Sequence, residues 1–288
     1  MKKYISFGII FLIVVLSIGI DARITNFNIS KINASYEYDE YTHDVLVEFV
    51  ATSKCGYCPT ANSQLDAVYN LGEYDFFYIT LVADENYGIY DRIKELGVSG
   101  VPDVFFDGGY RNVRGAQEDE QAYINALEAS GVRSVPDISL DVKVEWKAQA
   151  VLTITVTVLN NEDEEFNGFL RVYIVEPESR WKDVKGDIIG FGVLDIPIEK
   201  PLSVAKSFSK SLGETYTFKR TWFGSLFGFG DISADNIMVV ASLFDKSTDY
   251  AVQTVRDIPE ENIDHTEKAS FGYMLYYRIM QYFIDLSV

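Results

Sequence analysis

Past Asp44 the chain alternates short apolar blocks with polar breaks, and the spacing within each block indicates its structure. VLVEFVA at 45–51 is a continuous apolar run of strand length, and PTANSQLDAVYNLGE at 59–73 sets Ala61, Leu65, Val68 and Tyr69 on one helical face. FFYITLV at 76–82 is a second strand, and YGIYDRIKEL at 87–96 a second helix. Gly97-Val98-Ser99-Gly100-Val101-Pro102 breaks the chain before a strand at 103–107, and Gly108-Gly109 turns it into another at 110–115. A helix at 117–130 completes the order β-α-β-α-β-β-α, which predicts a mixed sheet flanked by helices.

After Gly131 the period changes to two. ISLDVKVEW at 138–146 and AVLTITVTVLN at 150–160 alternate, and β-rich runs follow at 169–176, 188–196, 202–209, 214–221, 236–245 and 249–258. Antiparallel strands in this number predict an all-β sandwich-like domain. Val132-Arg133-Ser134-Val135-Pro136-Asp137 is the natural boundary. The expected organisation is an N-terminal segment at 1–23, an α/β domain at 24–135, a β domain at 136–260, and a linker with a C-terminal helix at 261–288. Two stretches stand out within it. TWFGSLFGFGD at 221–231 alternates aromatics with glycines, which fits either a self-packed loop or an apolar pad for a partner. FGYMLYYRIMQYFIDLSV at 271–288 carries Arg278, Gln281 and Asp285 as a polar stripe on an apolar helix, suited to docking on a domain, to a homodimer contact or to lying in a membrane interface.

Composition then narrows the partners. Lys plus Arg number 25 against 43 Asp plus Glu, a formal charge of -18, which disfavours nucleic-acid binding. Met1-Lys2-Lys3 precedes the apolar run 4–20, the pattern of a secretory signal or an uncleaved anchor. An extracytoplasmic location is expected, secreted or attached to the membrane through residues 4–20.

The 2 cysteines of the chain both lie in KCGYCP at 54–59. Structural zinc would need about four ligands, and the 2 histidines, His43 and His265, are distant in sequence. A static disulfide across so short a loop would remove little chain entropy, and free thiols are uncommon in oxidising compartments. A redox pair fits the position between strand and helix. Cys55 stands at the helix N-terminus, where unpaired N–H groups favour thiolate, and Cys58 one turn later is placed to resolve a mixed disulfide.

VLVEFVATSKCGYCP at 45–59 and GVSGVPDVFFDGG at 97–109 together resemble the thioredoxin superfamily over about residues 41–131. The resemblance implies an α/β thioredoxin-like domain followed by the all-β sandwich-like domain, with a Cys55–Cys58 disulfide at the redox centre. It implies that Pro102 is the cis-proline facing the pair, and that Val101, with Gly56 and Tyr57, meets a substrate chain. It assigns Glu48 as the buried carboxylate assisting proton transfer, although the family often has aspartate, and Tyr57 stands where typical thioredoxins have proline. The whole chain also resembles the Omp28-related extracytoplasmic class through Glu48-Phe49, Cys55 to Pro59, and Asn236 to Asp245.

The function expected on these grounds is a thiol–disulfide oxidoreductase without a cofactor. Its partners would be cysteine-containing exported proteins and an external thiol or disulfide electron partner. A binding or scaffold protein with a redox-idle domain is the alternative.

Overall fold

The computed structural model describes residues 41–205 and 215–259. The expected signal segment and the tail at 271–288 lie outside the described residues.

The first half follows the local pattern closely. Strand β1 (Val45–Ala51) leads to helix α1 (Cys58–Leu71) and strand β2 (Phe76–Val82). A 3-10 turn at Tyr87–Ile89 runs into helix α2 (Tyr90–Glu95), then strands β3 (Asp103–Phe106) and β4 (Arg111–Arg114), and helix α3 (Gln121–Gly131). Pro59 sits in the first turn of α1, where its missing N–H has no partner to lose, and Gly72 ends the helix at φ 66°.

Strands β5 (Ile138–Ala148), β6 (Val151–Asn160), β7 (Phe166–Lys182), β8 (Ile188–Val204), β9 (Thr215–Phe223), β10 (Met238–Asp245) and β11 (Ala251–Asp257) follow. The expected runs at 188–196 and 202–209 are largely one strand, β8. Pro197 falls between the Val172–Ile198 and Ile174–Asp195 pairs, where the register shifts and a residue without a donor is tolerated.

Two sheets result, one in the order β11-β10-β7-β8-β2-β1-β3-β4 and one in the order β5-β6-β9. Three apolar cores separate four layers. Leu152, Ile154 and Val156 of β6 pack against Val172 and Ile174 of β7 and Val239 and Leu243 of β10. The opposite faces of β7 and β10, with Tyr173, Val175, Val240 and Phe244, bury Leu46, Val50, Ile79 and Leu81 of β1 and β2. The far side of β1, with Val45, Val47, Phe49 and Ala51, is covered by Ala61, Leu65 and Val68 of α1 and by Tyr123 and Leu127 of α3. Every residue of β1 is buried, as are Met238–Phe244 of β10, so these strands read as unbroken apolar runs rather than alternating ones.

This corrects the expected fold class. An α/β thioredoxin-like domain followed by a separate sandwich would leave the two parts to pack independently. Here Thr80 of β2 pairs with Gly192 of β8, so one sheet runs through both halves. The described residues belong to a single compact unit. Polar joints cross the same seam. Asn86 Nδ2 donates to the carbonyls of Val193 and Leu194, each at 2.8 Å. Asp107 accepts from His43 at 2.9 Å and from Arg133 at 3.1 Å, and Arg133 also donates to the Ala251 carbonyl. The physical reason is burial: the inner face of β1–β2 finds its apolar partner on β7 and β10, and not within its own half of the chain.

Candidate functional site

The end of β1 and the start of α1 bring the two cysteines together. Cys55 and Cys58 form a disulfide with Cα atoms 5.4 Å apart. The Cys58 N–H donates to Cys55 Sγ at 3.0 Å, and the Cys55 N–H donates to the Thr52 carbonyl at 3.2 Å. Both cysteines belong to the core under α1, at 9% and 3% exposure, whereas Tyr57 between them is 71% exposed and Gly56 is also open to solvent. The Val101–Pro102 bond is cis, Pro102 is buried, and Val101 packs against the same core as the cysteines.

Glu48 is elsewhere. Successive side chains of a strand point to opposite faces. Phe49 therefore shares the cysteine face, while Glu48 enters the core toward β7. Arg92 grips it with two bonds, Nε to Oε1 at 2.8 Å and Nη2 to Oε2 at 2.6 Å, and the Tyr173 hydroxyl donates to Oε1 at 2.9 Å. Burial by itself would push this carboxyl up, but the Arg92 guanidinium outweighs it and holds the group below the usual glutamate value. The expected proton-transfer role of Glu48 is thus corrected to a structural ion pair, because the pleat turns it away from Cys58. Of the two readings of the aromatic–glycine stretch at 221–231, the packing observed is that of the self-packed loop. Trp222 is buried, its Nε1 donates to Asp195 at 2.6 Å, and its ring stacks on Phe229. Phe227 is its main exposed ring, at 56%.

A cleft of about 430 Å³ opens beside the disulfide, between α1 and the turn joining β7 to β8. From α1 come Pro59, Thr60, Asn62, Ser63, Gln64 and Asp66; from the turn come Asp183, Lys185, Asp187 and Ile188. Gln64 lies among Ala61, Leu65 and Val68 at only 7% exposure. Its Nε2 donates to the Gln117 carbonyl at 3.1 Å, but its Oε1 has no protein partner. Asn62 repeats this arrangement: Nδ2 donates to Asp66 at 3.1 Å and Oδ1 is unpartnered. Asp66 also accepts the Tyr78 hydroxyl, and burial raises its carboxyl above the ordinary aspartate value despite that bond. Asp183 Oδ1 accepts the backbone N–H groups of Lys185 at 2.8 Å and Asp187 at 3.0 Å, which fixes the turn. Two buried amide oxygens without donors are unusual in a folded protein and call for an explanation. Sequence reasoning followed the apolar face of α1 and passed over Gln64, whose buried polar position within that face was the available signal.

Among the described residues no group of three or more His, Cys, Asp and Glu is placed to hold a metal ion. Among them, too, no helix is long and apolar enough to cross a membrane.

No family model matches the chain, and no curated protein matches it. Solved structures that do match include a β-glucuronidase of Bacteroides uniformis, 16% identical, covering 41% of this chain and 12% of that one, at a TM-score of 0.24. A β-glucosidase from Kluyveromyces marxianus is 14% identical over 44% of this chain and 14% of its own, with a TM-score of 0.27. β-Glucosidase 3B from Thermotoga neapolitana is 11% identical over 44% and 16%, also at 0.27. The chain therefore spans a small fraction of the length of these enzymes.

These findings correct the family expectation. Neither a thioredoxin-superfamily model nor an Omp28-related one matches the chain. Thiol–disulfide exchange, the oxidoreductase class and a redox-active centre are set aside with that family. A glycosidase does not take their place, since overlaps at TM-scores of this size carry no argument about shared fold or activity.

Proposed function

We propose that this chain is an extracytoplasmic binding protein that holds a polar ligand in the cleft between α1 and the β7–β8 turn. The observation that carries this is the cleft itself, about 430 Å³ and lined almost wholly by polar side chains, with Asp66, Asp183 and Asp187 beside Lys185. Export is supported by the lysines and apolar run at residues 1–20. The Cys55–Cys58 disulfide then serves as a staple at the start of the helix that forms one wall.

A thermal-shift screen of small polar compounds against the full secreted chain tests this, with Ser63→Trp as the control. Ser63 is an exposed cleft residue on α1, so a tryptophan there obstructs the site without entering the core. A ligand at a hundred times its Kd stabilises by about 2.7 kcal/mol, a rise in Tm of roughly 5–10 °C for a unit of this size. The expected result is a shift in the wild type that Ser63→Trp abolishes. Shifts that are equal in both proteins, or a screen without any shift, would overturn the proposal.

A further inference from the structure

Independently of the cleft, we infer that the flank of β9 turned away from β6 is a docking edge that takes an extended acidic segment of another protein as an added strand. Four strands end a sheet among the described residues: β4, β5, β9 and β11. Three of them are blunted, as exposed sheet edges generally are. β4 is four residues long, and the Gln117 side-chain amide donates to its Arg114 carbonyl at 3.1 Å. The register of β5 shifts between Trp146 and Ala148, and its Val144 N–H donates to Asp257 of β11 at 2.7 Å, which ties these two edges together. β9 differs. It runs nine residues, TYTFKRTWF, without a proline, and pairs with β6 in unbroken register from Thr215 to Phe223.

Two properties of this edge select its occupant. Tyr216 and Phe218 pack on the core beneath yet are only partly buried, whereas Val158 and Val156, their partners on β6, are fully buried. An added strand with inward apolar side chains extends that layer over the rings. The second property is charge. β9 carries Lys219 and Arg220, both exposed, and no carboxylate, in a chain of formal charge -18. Lys200 of β8 adds a cation 4.3 Å from the Phe218 ring centre. Two carboxylates within electrostatic reach are already held by other donors: Glu145 by Lys147 at 2.8 Å, and Asp195 by Trp222 Nε1 at 2.6 Å and the Ile196 N–H at 2.8 Å. An edge lysine discourages a strand of like charge, so a second copy of β9, with its own Lys219 and Arg220, is disfavoured. An acidic strand turns the same residues into an attraction. Residues opposite each other in an antiparallel pair share a face. Acids opposite Arg220 and Lys219, followed by apolar residues opposite Phe218 and Tyr216, therefore complete both faces.

The test is binding of the capped peptide Thr-Glu-Glu-Val-Thr-Val-Thr to the full secreted chain, with Thr-Lys-Lys-Val-Thr-Val-Thr as its counterpart. The acidic peptide should bind saturably and weaken severalfold at high salt, and the basic one should not bind. Lys219→Glu, at an exposed position, should weaken the acidic peptide about tenfold, because an attraction is lost and a repulsion gained. The double variant Lys219→Glu/Arg220→Glu should accept the basic peptide instead, with a urea midpoint reporting that the fold is intact. Ser63→Trp should leave the acidic peptide's binding unchanged, which separates this edge from the cleft. Amide hydrogen exchange supplies the geometric readout, since strand addition protects the alternate amides of Thr215–Phe223 that β6 does not hold. Equal binding of the two peptides, acidic binding without that protection, or no saturable binding would each overturn the inference. Self-association of the chain in sedimentation velocity that protects the same amides would overturn it too, since a second copy would then be the occupant.

Discussion

Replacing Arg92 with methionine should be among the most damaging single changes in this protein. Arg92 is 6% exposed and Glu48 fully buried, and the two meet through a bidentate pair. Methionine keeps much of the side-chain volume but leaves Glu48 with the Tyr173 hydroxyl as its remaining direct partner. Removing one member of a buried pair costs about 3–5 kcal/mol, because the other charge stays in a low-dielectric site uncompensated. Against a total stability of roughly 5–15 kcal/mol, that is a large share. The expected loss in Tm is roughly 6–20 °C. Urea unfolding followed by far-UV circular dichroism measures the loss, and the double variant Glu48→Gln/Arg92→Met isolates the coupling. The double variant should be more stable than the sum of the single losses by at least about 1 kcal/mol, since a neutral amide no longer needs the guanidinium. The pH dependence supplies a second reading. In the wild type the Glu48 carboxyl is held low, so its contribution is present above the unfolded value near pH 4.3 and is lost as pH falls through the lower folded value. In Arg92→Met burial outweighs the remaining Tyr173 hydrogen bond and the more distant Arg171 charge and raises the carboxyl, so stability should fall as pH rises from about 4 toward 7. Because Glu48 lies on β1 and Tyr173 on β7, the unfolding should also be one transition across both halves. A loss under about 1 kcal/mol, an unchanged pH slope, or two separate transitions would refute this account.

Two further outcomes follow from the same geometry. Converting both cysteines to alanine should lower stability by about 2 kcal/mol, the loop-closure contribution of so short a bridge, and a urea midpoint implying more than about 4 kcal/mol would show that the pair does more than staple the chain. Gly224→Ala should cost about 1–3 kcal/mol, because a Cβ there would lie 2.7 Å from the Trp222 ring and 2.9 Å from the Phe229 carbonyl oxygen, and a backbone atom yields little; a cost under about 0.5 kcal/mol would mean the loop relaxes freely.

The sequence by itself determined the local elements. Strands β1 and β2 occupy the expected spans 45–51 and 76–82, and α1 starts and stops within two residues of its expected ends, since period, proline and glycine act over a few residues. The Gly108-Gly109 turn was legible for the same reason. Tertiary structure alone decided the rest. VLVEFVA is apolar on both faces, so nothing local says that one face meets α1 and the other meets β7 and β10, strands more than a hundred residues away. That choice turned Glu48 from the cysteine side to Arg92 and joined two expected domains into one sheet. For Trp222 two readings stood open until Asp195, on a distant strand, took up its N–H and Phe229, further along the same stretch, its ring. The cleft is likewise non-local. One wall is a helix read for its apolar stripe and the other a turn at 183–188, and a hydrogen bond that Gln64 fails to make cannot be seen until both are in place.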